Sequence, residues 1–149
     1  MITDRTQLDV NKAKSIIEQK VKKFIELTSE EENTLERGTV TINAINRIEN
    51  KQAEIMQALN DMGYWNVSIT NKKWSLGDAF KQADLERIAA NNIALRSAFY
   101  AFKDSPVNAI AKYHYSEFNR LEKILLDIFA NIEYTISRYR RCGNFNCGG

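Results

Sequence analysis

Three stretches of the chain carry one amphipathic pattern in one register, and any fold must bury all three faces together. Ile45, Ile48, Ile55 and Leu59 recur as Leu85, Ile88, Leu95 and Phe99, and again as Phe118, Leu121, Ile128 and Ile132. Steps of three, four and seven keep such side chains on one side of a 3.6-residue helix. The last copy, His114 to Tyr139, is the longest. Leu125 completes its stripe, Ile124 and Phe129 widen it beyond a two-stranded seam, and Glu122, Lys123 and Asp127 fall on what should be its solvated side. An arginine precedes the second apolar position in every copy: Arg47, Arg87 and Arg120. Asn46 and Asn119 stand before two of these, with Glu86 in the middle copy, and Glu49 and Glu122 follow in the outer two. From Arg47 to Arg87 is 40 residues and from Arg87 to Arg120 is 33, so the spacing is not that of a regular solenoid. The pattern predicts an all-α fold, a small antiparallel bundle of about four main helices.

One layer is polar. Gln52 and Asn92 occupy the place that Leu125 fills in the last copy. A buried amide without a partner costs a few kcal/mol, so the two amides either pair with one another or a neighbouring subunit, fixing register, or the seam drifts and both reach water. The arginines likewise have two readings: solvated or paired with Glu49, Glu86 and Glu122, or a repeated contact to an outside partner.

The remaining segments follow from caps and breakers. Thr6-Gln-Leu-Asp9 has capping-box spacing and opens a first helix from Gln7 to about Glu26. Ser29-Glu-Glu-Glu32 caps a short acidic helix that Gly38 closes, its glutamates opposing the helix dipole rather than gathering a metal. Asn43 is the expected cap of the second long helix and Gly63 its terminator. The Val67/Ile69 alternation within residues 64–70 suggests a short extended strand or an ordered loop. The third helix runs from Gln82 to Phe102, before Asp104-Ser-Pro106. One domain over residues 1–149 is expected: the N-terminal and acidic helices within 1–38, three long helices within 43–139, and an extended C-terminal arm over 140–149.

With 21 basic and 19 acidic residues spread along 149, the chain does not look like a dedicated nucleic-acid or membrane-surface binder. No apolar run approaches the roughly 18 residues a membrane span needs, and the N-terminus is no signal peptide, so folding in a cytoplasm is the natural reading. His114 is alone, without ligand-spaced neighbours, and no phosphate loop or nucleophile–base spacing is present. No catalytic, cofactor-binding or metal-binding residue is expected. The tail, Arg138-Tyr-Arg-Arg-Cys-Gly-Asn-Phe-Asn-Cys-Gly-Gly149, is less ordinary. Arg138, Arg140 and Arg141 suit a helix C-terminus, and beside Tyr134 and Tyr139 they could also grip phosphate and stack on bases. Cys142 and Cys147 could close a small disulfide loop, and a reduced pair is the cytoplasmic default. Aromatics and arginine anchor interfaces more than other residues. The candidate partner contacts are therefore Tyr64, Trp65, Tyr139, Arg140, Arg141, Cys142, Phe145 and Cys147.

Asp4-Arg-Thr-Gln-Leu-Asp9, Ile45-Asn-Arg-Ile-Glu49, Trp74-Ser-Leu-Gly-Asp78, Ala83-Asp-Leu-Glu-Arg-Ile88, Leu121-Glu-Lys-Ile-Leu-Leu-Asp-Ile128 and Cys142-Gly-Asn-Phe-Asn-Cys-Gly148 follow one another across almost the whole chain. In this order they resemble a helical module of tailed-phage and prophage structural proteins of Firmicutes. The chain departs from that pattern at Phe80-Lys81 and His114, where Pro-Thr and Thr would precede the last two helices, and at Gly149, where a glutamate would end it. The resemblance implies a non-enzymatic virion component of the tail or baseplate, assembled in the host cytoplasm with other virion proteins and present in several copies. With no receptor-binding domain following, an adaptor or decoration subunit is expected. A small nucleic-acid-binding or regulatory protein using the C-terminal arginines is the alternative, and a host-interacting factor made early in infection a third.

Overall fold

A computed structural model describes residues 1–99, 103–107 and 112–142, with side chains as far as Arg138. Among these residues there are five α-helices and no strand: α1 (Gln7–Gln19), α2 (Ser29–Gly38), α3 (Ile42–Asp61), α4 (Gln82–Ala98) and α5 (Tyr115–Cys142), with a 3₁₀ turn at Val21–Lys23. The fold is all-helical, and α3, α4 and α5 form a small bundle.

The three copies meet layer by layer as their register demands. Ile45, Leu85 and Phe118 are buried, as are Ile48, Ile88 and Leu121, then Ile55, Leu95 and Ile128, then Leu59, Phe99 and Ile132. The expected antiparallel arrangement is corrected: the long helices run parallel. Along α3 the partners on α4 climb in the same sense, Glu49 to Arg87 and Gln52 to Asn92. Those on α5 climb likewise, from Arg47 to Glu122 to Lys51 over the Phe129 ring. Length explains the difference. The 20 residues of α3 span about 30 Å at 1.5 Å each, and the extended chain from 63 to 81 is long enough to bring the next helix back to the same end.

Several boundaries move for local reasons. The first helix ends at Gln19, not Glu26, and the chain turns through Phe24 in the left-handed region at φ 56°. This reversal lays α2 back on α1 so closely that a Cβ on Gly38 would sit 2.3 Å from the Asp9 carbonyl oxygen. Thr28, rather than Ser29, caps α2, reciprocally with Glu31, and Thr41 rather than Asn43 caps α3. Gly63, at φ 90°, ends α3 as anticipated. Residues 64–70 are an ordered loop with a turn at Trp65 and Asn66, not a strand. α4 stops at Ala98 because Phe99 turns to an extended conformation and packs edge-on to Tyr64; the expected continuation through Phe102 falls beyond the described residues. α5 extends to Cys142, so 140–142 are helical rather than an arm, and 143–149 lie outside the described residues. His114 precedes α5, its Nδ1 taking the place of the missing threonine opposite the Ser116 amide at 3.3 Å.

Candidate functional site

The asparagines and glutamates of the outer two copies, Asn46, Glu49, Asn119 and Glu122, are buried or half-buried, whereas Glu86 and Arg120 are exposed. Asn46 and Glu49 lie three apart on α3, hence on one face, and together they fasten a returning stretch of chain, Asn71 to Trp74. The Asn46 side chain accepts from the Trp74 amide and donates to the Trp74 carbonyl, both at 2.9 Å. Glu49, 2 % exposed, accepts from the Lys72 amide at 2.6 Å and the Trp74 indole at 2.7 Å. Arg87 of α4 closes the set with bonds of 2.9 and 2.6 Å to the same carboxylate.

The last copy repeats this with a different stretch. Asn119 accepts from the Arg5 amide at 3.1 Å and donates to its carbonyl at 2.9 Å. Glu122, fully buried, accepts from the Arg5 guanidinium at 2.6 Å, from Arg47 of α3 at 3.0 Å and from the Ile2 amide. Each fastened stretch leads into an equivalent box. Asp9 takes the Thr6 amide at 2.8 Å, and Asp78 takes the Ser75 amide at 2.8 Å. Those backbone bonds are the main reason both carboxyls lie below the usual aspartate range. So Arg5-Thr-x-x-Asp9 and Trp74-Ser-x-x-Asp78 are a second repeated motif. It could have been read beside the first, but it was not. The assignment of Glu122 and Asp127 to a solvated face was wrong: both are buried, and only Lys123 is exposed.

The aligned arginines are paired, two of them across helices. Arg87 serves Glu49, Arg47 serves Glu122 and Glu36, and Arg120 reaches Glu117 of its own helix at 3.4 Å. The carboxylates raise the pKa of Arg47 and Arg87, against desolvation, which for Arg47 is the largest influence. The amide layer also pairs. Gln52 donates to Asn92 at 2.6 Å and to the Ile88 carbonyl at 2.8 Å, while Asn92 donates to the Leu121 carbonyl at 2.9 Å.

Of the expected contact residues, Tyr64 and Trp65 follow α3 at the C-terminal end of the bundle. Trp65 is 79 % exposed, with its indole bonded to the Asn60 carbonyl at 2.8 Å. Because the helices are parallel, the end of α5 lies at this same end, with Asp61 near Ser137. The backbone of Tyr139, Arg140, Arg141 and Cys142 is helical there; their side chains, and Phe145 and Cys147 altogether, are outside the described residues. Among the described residues, no group of three or more His, Cys, Asp or Glu could hold a metal, and no helix is long and apolar enough to cross a membrane.

No family model, curated protein or solved structure matches this chain.

Proposed function

We propose that the chain is a non-enzymatic structural subunit of a phage virion, a multi-copy adaptor or decoration in the tail or baseplate region. The observation that supports this is how the buried ionisable groups are used. Glu49 and Glu122 accept structural hydrogen bonds from backbone and side chains, which suits a rigid part better than a reacting centre. The ordered motifs that resemble phage structural proteins supply the biological setting. Partner contact is assigned to Tyr64, Trp65, Tyr139, Arg140, Arg141, Cys142, Phe145 and Cys147, of which Tyr64 and Trp65 lie at the C-terminal end of the bundle, and the partners are other virion proteins.

Peptide mass spectrometry on density-banded particles tests it, with copy number taken against the major capsid protein. A fixed stoichiometry of a few to a few dozen copies supports a tail position. Hundreds of copies would move the chain to the capsid or tail tube, and absence would overturn the virion reading. Salt-sensitive DNA binding would then support the alternative that uses Arg138, Arg140 and Arg141.

A further inference from the structure

Beyond the point where the N-terminal residues lie, no other described segment of the chain fills the groove between α3 and α5. Its floor is Ala58, Phe129 and Ile136, all half-buried, and its rim carries Glu54, Asp61 and Glu133. The groove holds about 800 Å³, and none of the described residues that line it is basic. Lys51 stands at its lower edge, its ammonium 4.0 Å from the Phe129 ring centroid and paired with Glu54. This edge thus already accommodates a cation over an aromatic face.

The neighbouring groove shows how the fold fills such a space. Between α3 and α4 the chain returns in extended form. Val67 and Ile69, alternate residues, pack on the core, and the Thr70 amide reaches Asn91 at 3.3 Å. On α5 the N-terminal stretch runs in the same sense, against the helix direction, since Ile2 meets Glu122 while Arg5 meets Asn119. The empty part of the α3–α5 groove is collinear with that stretch, on the side towards the helix C-termini. The eight helical rises from Phe129 to Ser137 cover about 12 Å, which an extended chain crosses in about four residues.

We infer that this groove docks an extended, basic segment of a partner protein, with β-branched residues at alternate positions flanked by lysine or arginine. The alternation matches the way Val67 and Ile69 fill the adjacent groove, and the basic flanks complement Asp61 and Glu133. The inference names the occupant by its chemistry and holds whichever particle or cell component supplies it.

The test uses the full chain, isotope-labelled, titrated with the peptides KKVTIKK and EEVTIEE and followed by NMR. The expected result is a shift of Ala58, Ile132 and Ile136 signals with the lysine peptide, and about three- to tenfold weaker response to the glutamate peptide, as a few exposed charge pairs allow. Raising the salt should weaken the first response without any substitution. The double variant Asp61→Lys/Glu133→Lys, at exposed positions, should reverse the order while the thermal melt stays put. Equal response to both peptides, shifts mapping elsewhere, or none at millimolar peptide would overturn the inference. So would concentration-dependent shifts at the same residues with no peptide added, which would assign the groove to a second copy.

Discussion

The outer copies of the repeat, α3 and α5, use the same residues at the same offset, and they differ in what they hold. On α3, Asn46 and Glu49 fasten a stretch whose Trp74 is 3 % exposed and belongs to the core. On α5, Asn119 and Glu122 fasten the stretch from Ile2 to Arg5, and the side chain offered is a guanidinium rather than an indole. The motif is therefore a fastening for extended backbone, indifferent to the side chain it holds so long as that side chain donates a hydrogen bond. The middle copy sharpens the point. Glu86-Arg87-Ile88-Ala89 lacks both the asparagine and the following glutamate, and among the described residues it fastens no comparable stretch; its arginine serves the carboxylate of α3.

The most direct way to break this equivalence is to remove each carboxylate. Glu122→Ala leaves Arg5 and Arg47, which meet at one buried oxygen, and should cost about 3–5 kcal/mol, as the loss of one partner of a buried pair does. Glu49→Ala leaves Arg87 with its bond of 2.6 Å to the Thr70 carbonyl and should cost less, about 2–3 kcal/mol for the unsatisfied donors. Urea denaturation of both variants decides it. A larger loss at Glu49 would mean that the number of guanidiniums is not what distinguishes the two sites.

A smaller effect separates the fastenings from the bundle they decorate. Gln52→Leu leaves the Asn92 carbonyl oxygen without the 2.6 Å bond it has now, at about 1–3 kcal/mol. Adding Asn92→Leu should recover part of the loss, since Leu125 already completes that layer with an apolar side chain. No recovery would show that packing, rather than an unpaired amide, causes the loss. Next in size are the asparagines. Asn46→Ala and Asn119→Ala each remove two backbone bonds, about 1–2 kcal/mol gross. At Asn46 the loss should appear in the global melt, because Trp74 cannot leave without opening the core. At Asn119 it should appear as faster hydrogen exchange of the Arg5 amide with a nearly unchanged melt. Identical behaviour of the two variants would contradict the distinction between a stretch anchored in the core by Trp74 and one held by a guanidinium.

Periodicity made the core legible. All twelve apolar positions aligned across the copies are buried, because a stripe at helical spacing has one place to go. Direction was not legible, since the same stripes serve parallel and antiparallel helices, and only the long connections decide between them. The fastening was missed for a related reason. Asn46 and Glu49, read along a single helix, look like a polar flank, and their partners are 22 to 38 residues away by sequence separation. The apolar rule also misplaced Glu122, whose partners at Arg5 and Arg47 bring it into the interior. The candidate contact residues were half legible. Tyr64 and Trp65 are exposed, yet nothing in their spacing from the last helix revealed that they share its end of the bundle.

The smallest effect distinguishes the two boxes that follow the fastened stretches. Asp9 and Asp78 both lie below the usual aspartate range, chiefly through the amides of Thr6 and Ser75. A carboxyl depressed on folding stabilises the fold at pH above its unfolded value, and the contribution is lost as pH falls through the folded value. The window therefore opens below about pH 4 for both. Their surroundings differ: Asp9 also meets Arg37 of α2 at 3.3 Å, so its protonation weakens the contact between α1 and α2, whereas that of Asp78 loosens only a local turn. Glu31, lowered first by Lys20 and then by the Thr28 amide, acts on the same helical pair. Carboxyl-carbon NMR titration should show both aspartates titrating low, with amides along α1 and α2 responding to Asp9 and only those near Ser75 responding to Asp78. Asp9→Asn should abolish the first of these responses and leave the second. Aspartates that titrate at ordinary values, or an α1–α2 response that survives Asp9→Asn unchanged, would show that the box following the N-terminal stretch does not tie those two helices together.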